Sequence, residues 1–266
     1  MCELFAMSSL YPTTVSFSLE EFAKHGGLTG PHQDGWGIAF YAENDVRLIK
    51  DADAASQSAC VKFIEKHDFI SDLVISHIRK ATQGGAKIKN TQPFSRELGG
   101  RMHVFAHNGD LKRIRSSKKT ELGRYQPVGE TDSEYAFCSL MASMQDLWTK
   151  GSIPSLAERL ALVSDFAGTI RKLGPANFLY SDSEYLYIHG HQRKQTGRPG
   201  FHPPGLFTLC RSCSVNKAQD SIEGLDIKMG HQDQKAILVA SVPLTEENWI
   251  PLAEGEIRVL AHGEML

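Results

Sequence analysis

Four places in this 266-residue chain carry side chains that together could break an amide bond. The first is Met1-Cys2 at the very start. Cysteine is small enough for an initiator methionine before it to be removed, which would leave an α-amine beside a thiol. An α-amine titrates near ~7.7–8.0 and a thiol near ~8.5, so the amine can serve at neutral pH as base for its own side chain. A lone cysteine, by contrast, usually packs as a small hydrophobe, so Met1-Cys2 needs company to mean anything.

The second place supplies it. FAHNGDL (105–111) sets the carboxamide of Asn108 beside Gly109 in an expected loop just after a strand. A side-chain NH₂ and a neighbouring backbone N–H are one way to meet the oxyanion that develops in acyl transfer. Glycine leaves that N–H unobstructed. The plain alternative is an Asn-Gly hairpin turn. In SHIRKAT (76–82), Arg79 ends an apolar strand, where a guanidinium could hold a carboxylate through two hydrogen bonds or simply form a surface ion pair. GETDSEYAF (129–137) puts Asp132 in a first helical turn, where the macrodipole favours an acid for structural reasons alone and where it could also hold an ammonium. Arg79 and Asp132 together would receive the two ends of an amino acid.

These residues need strands and helices to bring them together. Ser18-Leu19-Glu20-Glu21 reads as a capping box for a short helix closed by Gly26-Gly27. WGIAFY (36–41) and VRLIK (46–50) form a hairpin about Glu43-Asn44-Asp45, and a helix covers Ala54 to His67. LVISHIR (73–79) and RMHVFAH (101–107) are strands. Thr131-Asp132-Ser133-Glu134 is a second capping box, followed at helical spacing by Phe137, Leu140, Met141, Met144 and Trp148. A further helix carries Leu156, Leu160, Val163, Phe166 and Ile170 and stops at Gly174-Pro175. NFLYSDSEYLYIHG (177–190) is a hairpin turning at Ser181-Asp182-Ser183, and KAILVASVPL (235–244) and EIRVLAHGE (256–264) are closing strands. Lys112 to Gly129 and Gln192 to Pro204 read as exposed loops, either of which could serve as a lid. Hairpins with segregated helices, not βαβ alternation, indicate α+β with largely antiparallel sheets, in a single domain over residues 1–266 with no linker between halves.

Composition narrows the function. Hydrophobic residues make up 41% and charged residues 23%, which suffices for a sizeable core. Lys plus Arg (29) nearly balances Asp plus Glu (31), so no overall field recruits nucleic acid or an anionic membrane. No apolar run approaches the ~20 residues of a membrane-spanning helix. The opening MCELFAMSSLYPTT lacks a basic n-region and contains Glu3, which argues against a secretory signal. Cys2, Cys60, Cys138, Cys210 and Cys213 are an odd set in a long chain, pointing to reduced thiols and a cytoplasmic location. Cys210-Arg-Ser-Cys213 is a lone C-x-x-C and His189-Gly-His191 a strand-end pair, so no metal is expected. Neither a phosphate-cradling loop nor a dinucleotide fingerprint is present, and no cofactor is expected.

MCELFAMSS at the N-terminus, HQDGWGIAFY, SHIRKATQGG, NTQPF, FAHNGDL and GETDSEYAF occur in this order over residues 1–137. Together they resemble the class II glutamine amidotransferases of the N-terminal-nucleophile (Ntn) hydrolase superfamily. The nearest likeness is to the small stand-alone branch called YafJ-like, to which the γ-glutamyl hydrolases of ergothioneine synthesis and glutathione degradation are similar. SDSEYLYIHG later in the chain also resembles the family.

The resemblance implies a four-layer αββα sandwich of two mainly antiparallel sheets. Carried over by position, it makes Cys2 the nucleophile with its α-amine as base, and Asn108 with the Gly109 N–H the oxyanion hole. Arg79, with Thr82 beside it, would bind the substrate α-carboxylate and Asp132 its α-ammonium. Attack on the side-chain carbonyl of glutamine would release ammonia and leave a γ-glutamyl thioester for water to cleave. Lys80 and Gln83 flank Ala81-Thr82 where the larger synthases commonly have Trp and His, a difference that bears on how the pocket closes. Residues 150–266 complete one fold without room for a synthase domain, so any ammonia acceptor would be a separate subunit. Two other readings use the same pocket: a γ-glutamyl peptide or thiol-conjugate hydrolase, and a regulatory protein that binds glutamine without turnover.

Overall fold

The computed structural model describes residues 1–17, 26, 32–67, 69–148, 152–195, 197–212, 225–228 and 233–266. The expected Ser18–Glu21 cap and its helix, apart from Gly26, lie outside these residues, as does Cys213. Among the described residues fourteen strands run in chain order: β1 (Glu3–Phe17), β2 (Trp36–Ala42), β3 (Asp45–Asp51), β4 (Ile70–Ile78), β5 (Phe94–Leu98), β6 (Arg101–Gly109), β7 (Ala176–Ser181), β8 (Leu186–His189), β9 (Phe207–Ser212), β10 (Leu225–Lys228), β11 (Lys235–Ala240), β12 (Ile250–Pro251), β13 (Ile257–Ala261) and β14 (Glu264–Met265). The α-helices of the described residues are α1 (Ala59–Lys66), α2 (Asp132–Trp148) and α3 (Leu156–Ile170).

The strands form two antiparallel sheets. One has eight strands in the order β12-β9-β11-β1-β4-β2-β3, with β10 also pairing β1; the other has six in the order β14-β13-β8-β7-β6-β5. Side chains alternate across each strand, and the alternation sorts them into three cores. Leu4 and Ala6 of β1, Leu73 and Ile75 of β4, and Val104 and Ala106 of β6 meet between the sheets. Phe5 and Met7 of β1 and Val74 and Ile78 of β4 face the other way, packing with Val61 and Ile64 of α1. Phe105 of β6 and Phe178 of β7 face α2 and α3 through Phe137 and Phe166. Phe105 and Phe137 stack with centroids 5.4 Å apart. Each such fully buried ring contributes ~1.5–3 kcal/mol. The result is an α+β sandwich with helix, sheet, sheet and helix in layers.

Local signals account for most element ends. Glu43 at the β2–β3 turn takes a left-handed φ of 57°. The helix expected over Ala54 to His67 is instead a 3₁₀ turn, Ala55–Gln57, followed by α1. Ser58 divides them: its hydroxyl accepts from the Cys60 N–H and donates to Asp51, so the helix starts afresh at Ala59. Only half of the Thr131 capping box forms. Thr131 Oγ1 accepts from the Glu134 N–H at 3.2 Å, but the Glu134 carboxylate accepts from the Val128 and Gly129 N–H groups and from Arg96 instead.

Candidate active site

The sheet registers bring chain-distant residues to one end of the sandwich. β1 starts where β4 stops, Glu3 pairing Ile78, and β2 starts on the other side of β4, Trp36 also pairing Ile78. Alternation then continues the inter-sheet face beyond the apolar residues. Parity places Cys2 with Leu4 and Ala6, Arg79 with Leu73 and Ile75, and Asn108 with Val104 and Ala106. The contact that closes the group is direct: Asn108 Nδ2 donates to the Cys2 carbonyl oxygen, across 106 positions of sequence.

Asn108 and Gly109 are not a turn. They complete β6, paired with Asn177 and Ala176 of β7, so the strand runs two residues past its expected end. Asn108 is fully buried. Its carbonyl accepts from Asn177 Nδ2 at 3.0 Å, and its Nδ2 lies 3.4 Å from Ser241 Oγ. At Gly109 the chain passes so close to its neighbour that a Cβ would stand 1.8 Å from the Pro175 carbonyl oxygen. No other residue fits there without moving β7.

The Cys2 thiol is half-buried and sits against Lys80, whose N–H donates to Sγ and whose carbonyl accepts from it, both at 3.4 Å. Burial pushes the thiol above its ordinary value; the Lys80 N–H, the terminal amine and Arg79 pull it down, and Asp132 raises it. A thiol so placed stays protonated at neutral pH and needs a base. The chain's terminal amine is held below its ordinary value, first by burial and then by the cations Lys80, Arg193 and Lys194, against an opposing pull from Cys2. Met1 is anchored at both ends, its carbonyl accepting from His32 Nε2 and its sulfur from the Lys194 N–H. In this form the Cys2 nitrogen is a peptide amide, so the proposed base exists only after Met1 is removed.

Arg79 is buried and its two terminal nitrogens are fully engaged. Nη1 donates to the carbonyls of Asp34 and Gly85, and Nη2 to those of Gln83 and Gly84, at 2.8–3.1 Å. The guanidinium thus gathers the 83–85 loop around itself. Asp34 secures the other side, its carboxylate accepting from the Ala81 N–H at 2.8 Å. Thr82, in the same loop, is exposed. Asp132 is buried at the first residue of α2, and its Oδ2 accepts from the Leu111 N–H at 2.7 Å, tying the helix to the chain just past Gly109.

Several supporting residues escaped the sequence reading. Ser241 follows β11; its hydroxyl accepts from the Leu4 N–H at 3.0 Å, while its carbonyl accepts from Arg193. Nothing in KAILVASVPL marks that hub. Arg193 is buried although it lies in a stretch expected to be exposed. Gln92 sits within the NTQPF motif, and its side chain both accepts from the His107 N–H and donates to the His107 carbonyl. His77 shares the inter-sheet face with Arg79; burial above all, then Arg79, His107 and His32, hold it well below 6.5, so it is neutral. His189 and His191 instead contact the Glu256 carbonyl and Glu254. Among the described residues, no three His, Cys, Asp or Glu side chains are grouped to hold a metal, and no helix is long and apolar enough to cross a membrane.

Comparison with known proteins gives the same outline. The family model for class-II glutamine amidotransferases matches residues 1–266. The Escherichia coli (strain K12) protein YafJ is 34% identical over 270 residues, covering 99% of each chain. A crystal structure of a predicted glutamine amidotransferase from Pseudomonas aeruginosa superposes with a TM-score of 0.70 at 32% identity, covering 100% of this chain and 99% of that one. The glutamine phosphoribosylpyrophosphate amidotransferase of B. subtilis shares the fold over 48% of its length, with a TM-score of 0.60 at 14% identity.

Proposed function

Since the chain belongs to the class II glutamine amidotransferases, we propose that it hydrolyses the γ-amide of glutamine, or of a related γ-glutamyl compound, with Cys2 as nucleophile. Once Met1 is gone, the Cys2 α-amine takes the thiol proton and the sulfur attacks the side-chain carbonyl carbon. Negative charge moves to the carbonyl oxygen, where Asn108 Nδ2 and the Gly109 N–H meet it. The tetrahedral adduct collapses as the α-ammonium returns its proton to the departing nitrogen. Ammonia leaves and a γ-glutamyl thioester remains. Water, activated by the same amine, adds to the thioester, and glutamate departs with the thiol restored. Asp132 holds the α-ammonium of the substrate. Arg79 takes its α-carboxylate, a stronger acceptor than the loop carbonyls it displaces, with Thr82 at the rim.

The observation that carries this reading is the hydrogen bond from Asn108 to Cys2, which joins oxyanion donor and nucleophile at one point. The test is glutamate release from L-glutamine by protein whose intact mass verifies loss of Met1. Turnover that vanishes in Cys2→Ala supports the proposal, as does labelling of Cys2 alone by diazo-oxo-norleucine. Labelling at Cys60, Cys138, Cys210 or Cys213 overturns it. A second reading, a hydrolase of γ-glutamyl peptides or thiol conjugates, draws on Lys80, Arg193 and Lys194 around the terminus. These cations suit a leaving amine that bears a carboxylate, and a higher kcat/KM for such a compound than for glutamine would favour that reading. Ammonia from glutamine could instead be consumed by a synthase on another chain.

A further inference from the structure

Two side chains of the NTQPF segment, Asn90 and Gln92, are hydrogen-bonded to the segments that carry Arg79, Asp132 and Asn108. Asn90 is fully buried. Its Nδ2 donates at 3.1 Å to the Gly85 carbonyl, the same oxygen that accepts from Arg79 Nη1. Its Oδ1 accepts at 2.8 Å from the Glu130 N–H, two residues ahead of Asp132. Gly129 lets the two segments approach, since a Cβ there would lie 2.4 Å from the Lys89 carbonyl oxygen and 2.6 Å from Asn90 Oδ1. One carboxamide therefore links the loop under Arg79 to the turn that launches Asp132. Two residues on, Gln92 grips both backbone groups of His107, at 2.7 and 3.1 Å, immediately before Asn108.

We propose that Asn90 and Gln92 are positioning residues with separate duties: Asn90 sets the spacing of the amino-acid head-group site between Arg79 and Asp132, and Gln92 sets the oxyanion donor Asn108. The inference rests on the function proposed above. Two near-isosteric variants divide the duties. Asn90→Asp keeps the acceptor for Glu130 but cannot donate to Gly85. Gln92→Glu keeps the acceptor for His107 but cannot donate to its carbonyl. A displacement of about 1 Å in a site of this kind costs up to about 10²-fold.

With L-glutamine as substrate, Asn90→Asp raises KM by about 10- to 100-fold with kcat little changed, and Gln92→Glu lowers kcat by a similar factor with KM little changed. Asn90→Asp also slows labelling of Cys2 by diazo-oxo-norleucine, which carries the amino-acid head group. It leaves the rate with iodoacetamide, which lacks one, unchanged. Each arm is read by its own parameter, so either variant decides its own residue. Both variants losing kcat and KM together in step with a lower Tm, or neither moving its assigned parameter, overturns the inference. A wild type that neither turns over glutamine nor reacts with diazo-oxo-norleucine at Cys2 overturns the proposed function first, a different result.

Discussion

Replacing Asn108 by alanine separates catalysis from binding. Its carboxamide offers two N–H bonds. One is committed to the Cys2 carbonyl, while the other acceptor near it among the described residues, Ser241 Oγ, is 3.4 Å away, beyond the 2.7–3.2 Å of a good N–H···O bond. The second N–H can thus be given to an oxyanion at little cost, and its value should be that of a full oxyanion donor, ~10²–10³ in kcat or ~2.7–4 kcal/mol. Ground-state glutamine presents only a neutral carbonyl there, so KM should change modestly. The truncation also removes the donor to the Cys2 carbonyl, lowering stability by ~1–3 kcal/mol, which thermal unfolding will register separately. The assay is steady-state turnover of L-glutamine by Met1-processed protein, with calorimetry for glutamine affinity. An unchanged kcat with a raised KM would refute the oxyanion role. A wild type that binds glutamine without any turnover would mark a sensor.

Arg79→Lys and Asp132→Asn should act mainly on KM, by ~1.5–3 kcal/mol for one lost charge-assisted hydrogen bond, and a loss confined to kcat in both would remove them from head-group recognition. The proposed base, the Cys2 α-amine freed by loss of Met1, must be neutral to work. kcat/KM should therefore rise with pH as an α-amine loses its proton, near ~7.7–8.0, and a midpoint above ~8.5 would point to the thiol instead. Burial lowers His103 from 6.5 to about 4 and His189 to about 3. The unfolded chain thus binds protons near pH 6.5 that the folded chain refuses, and stability must fall as pH drops from there toward 4, by about 3 kcal/mol for His103 alone. His103→Gln should flatten the Tm–pH curve in that window, and an equally steep curve would exclude His103 as a source. Ser241→Ala leaves the buried Leu4 N–H without its acceptor and should cost ~1–3 kcal/mol in denaturant unfolding while sparing kcat; unaltered stability would show that Ser241 is no hub.

What could be read from the residues alone was whatever depends on near neighbours in sequence. The period-2 and period-3.6 patterns placed the major strands and both long helices, because alternation and helical spacing reflect which face must be buried. Cys2, Arg79, Asn108 and Asp132 stood out by residue type beside strand ends and a helix start. Other features had no local signature. Asn108-Gly109 reads as a hairpin turn until β7 pairs with it, since an extended and a left-handed backbone are both open to that dipeptide. Capping boxes look alike in sequence, yet Glu134 turned to the Val128–Gly129 N–H groups and Arg96, which only the packing of β5 against α2 supplies. Ser241, Arg193 and Gln92 are ordinary polar residues whose weight comes from being buried beside backbone groups hundreds or tens of positions away. A buried N–H or carbonyl must find a partner, and which side chain serves is decided where the chain closes on itself. The sequence therefore singles out the candidate groups, and the meeting of strand ends from the two sheets at Cys2 decides what holds them.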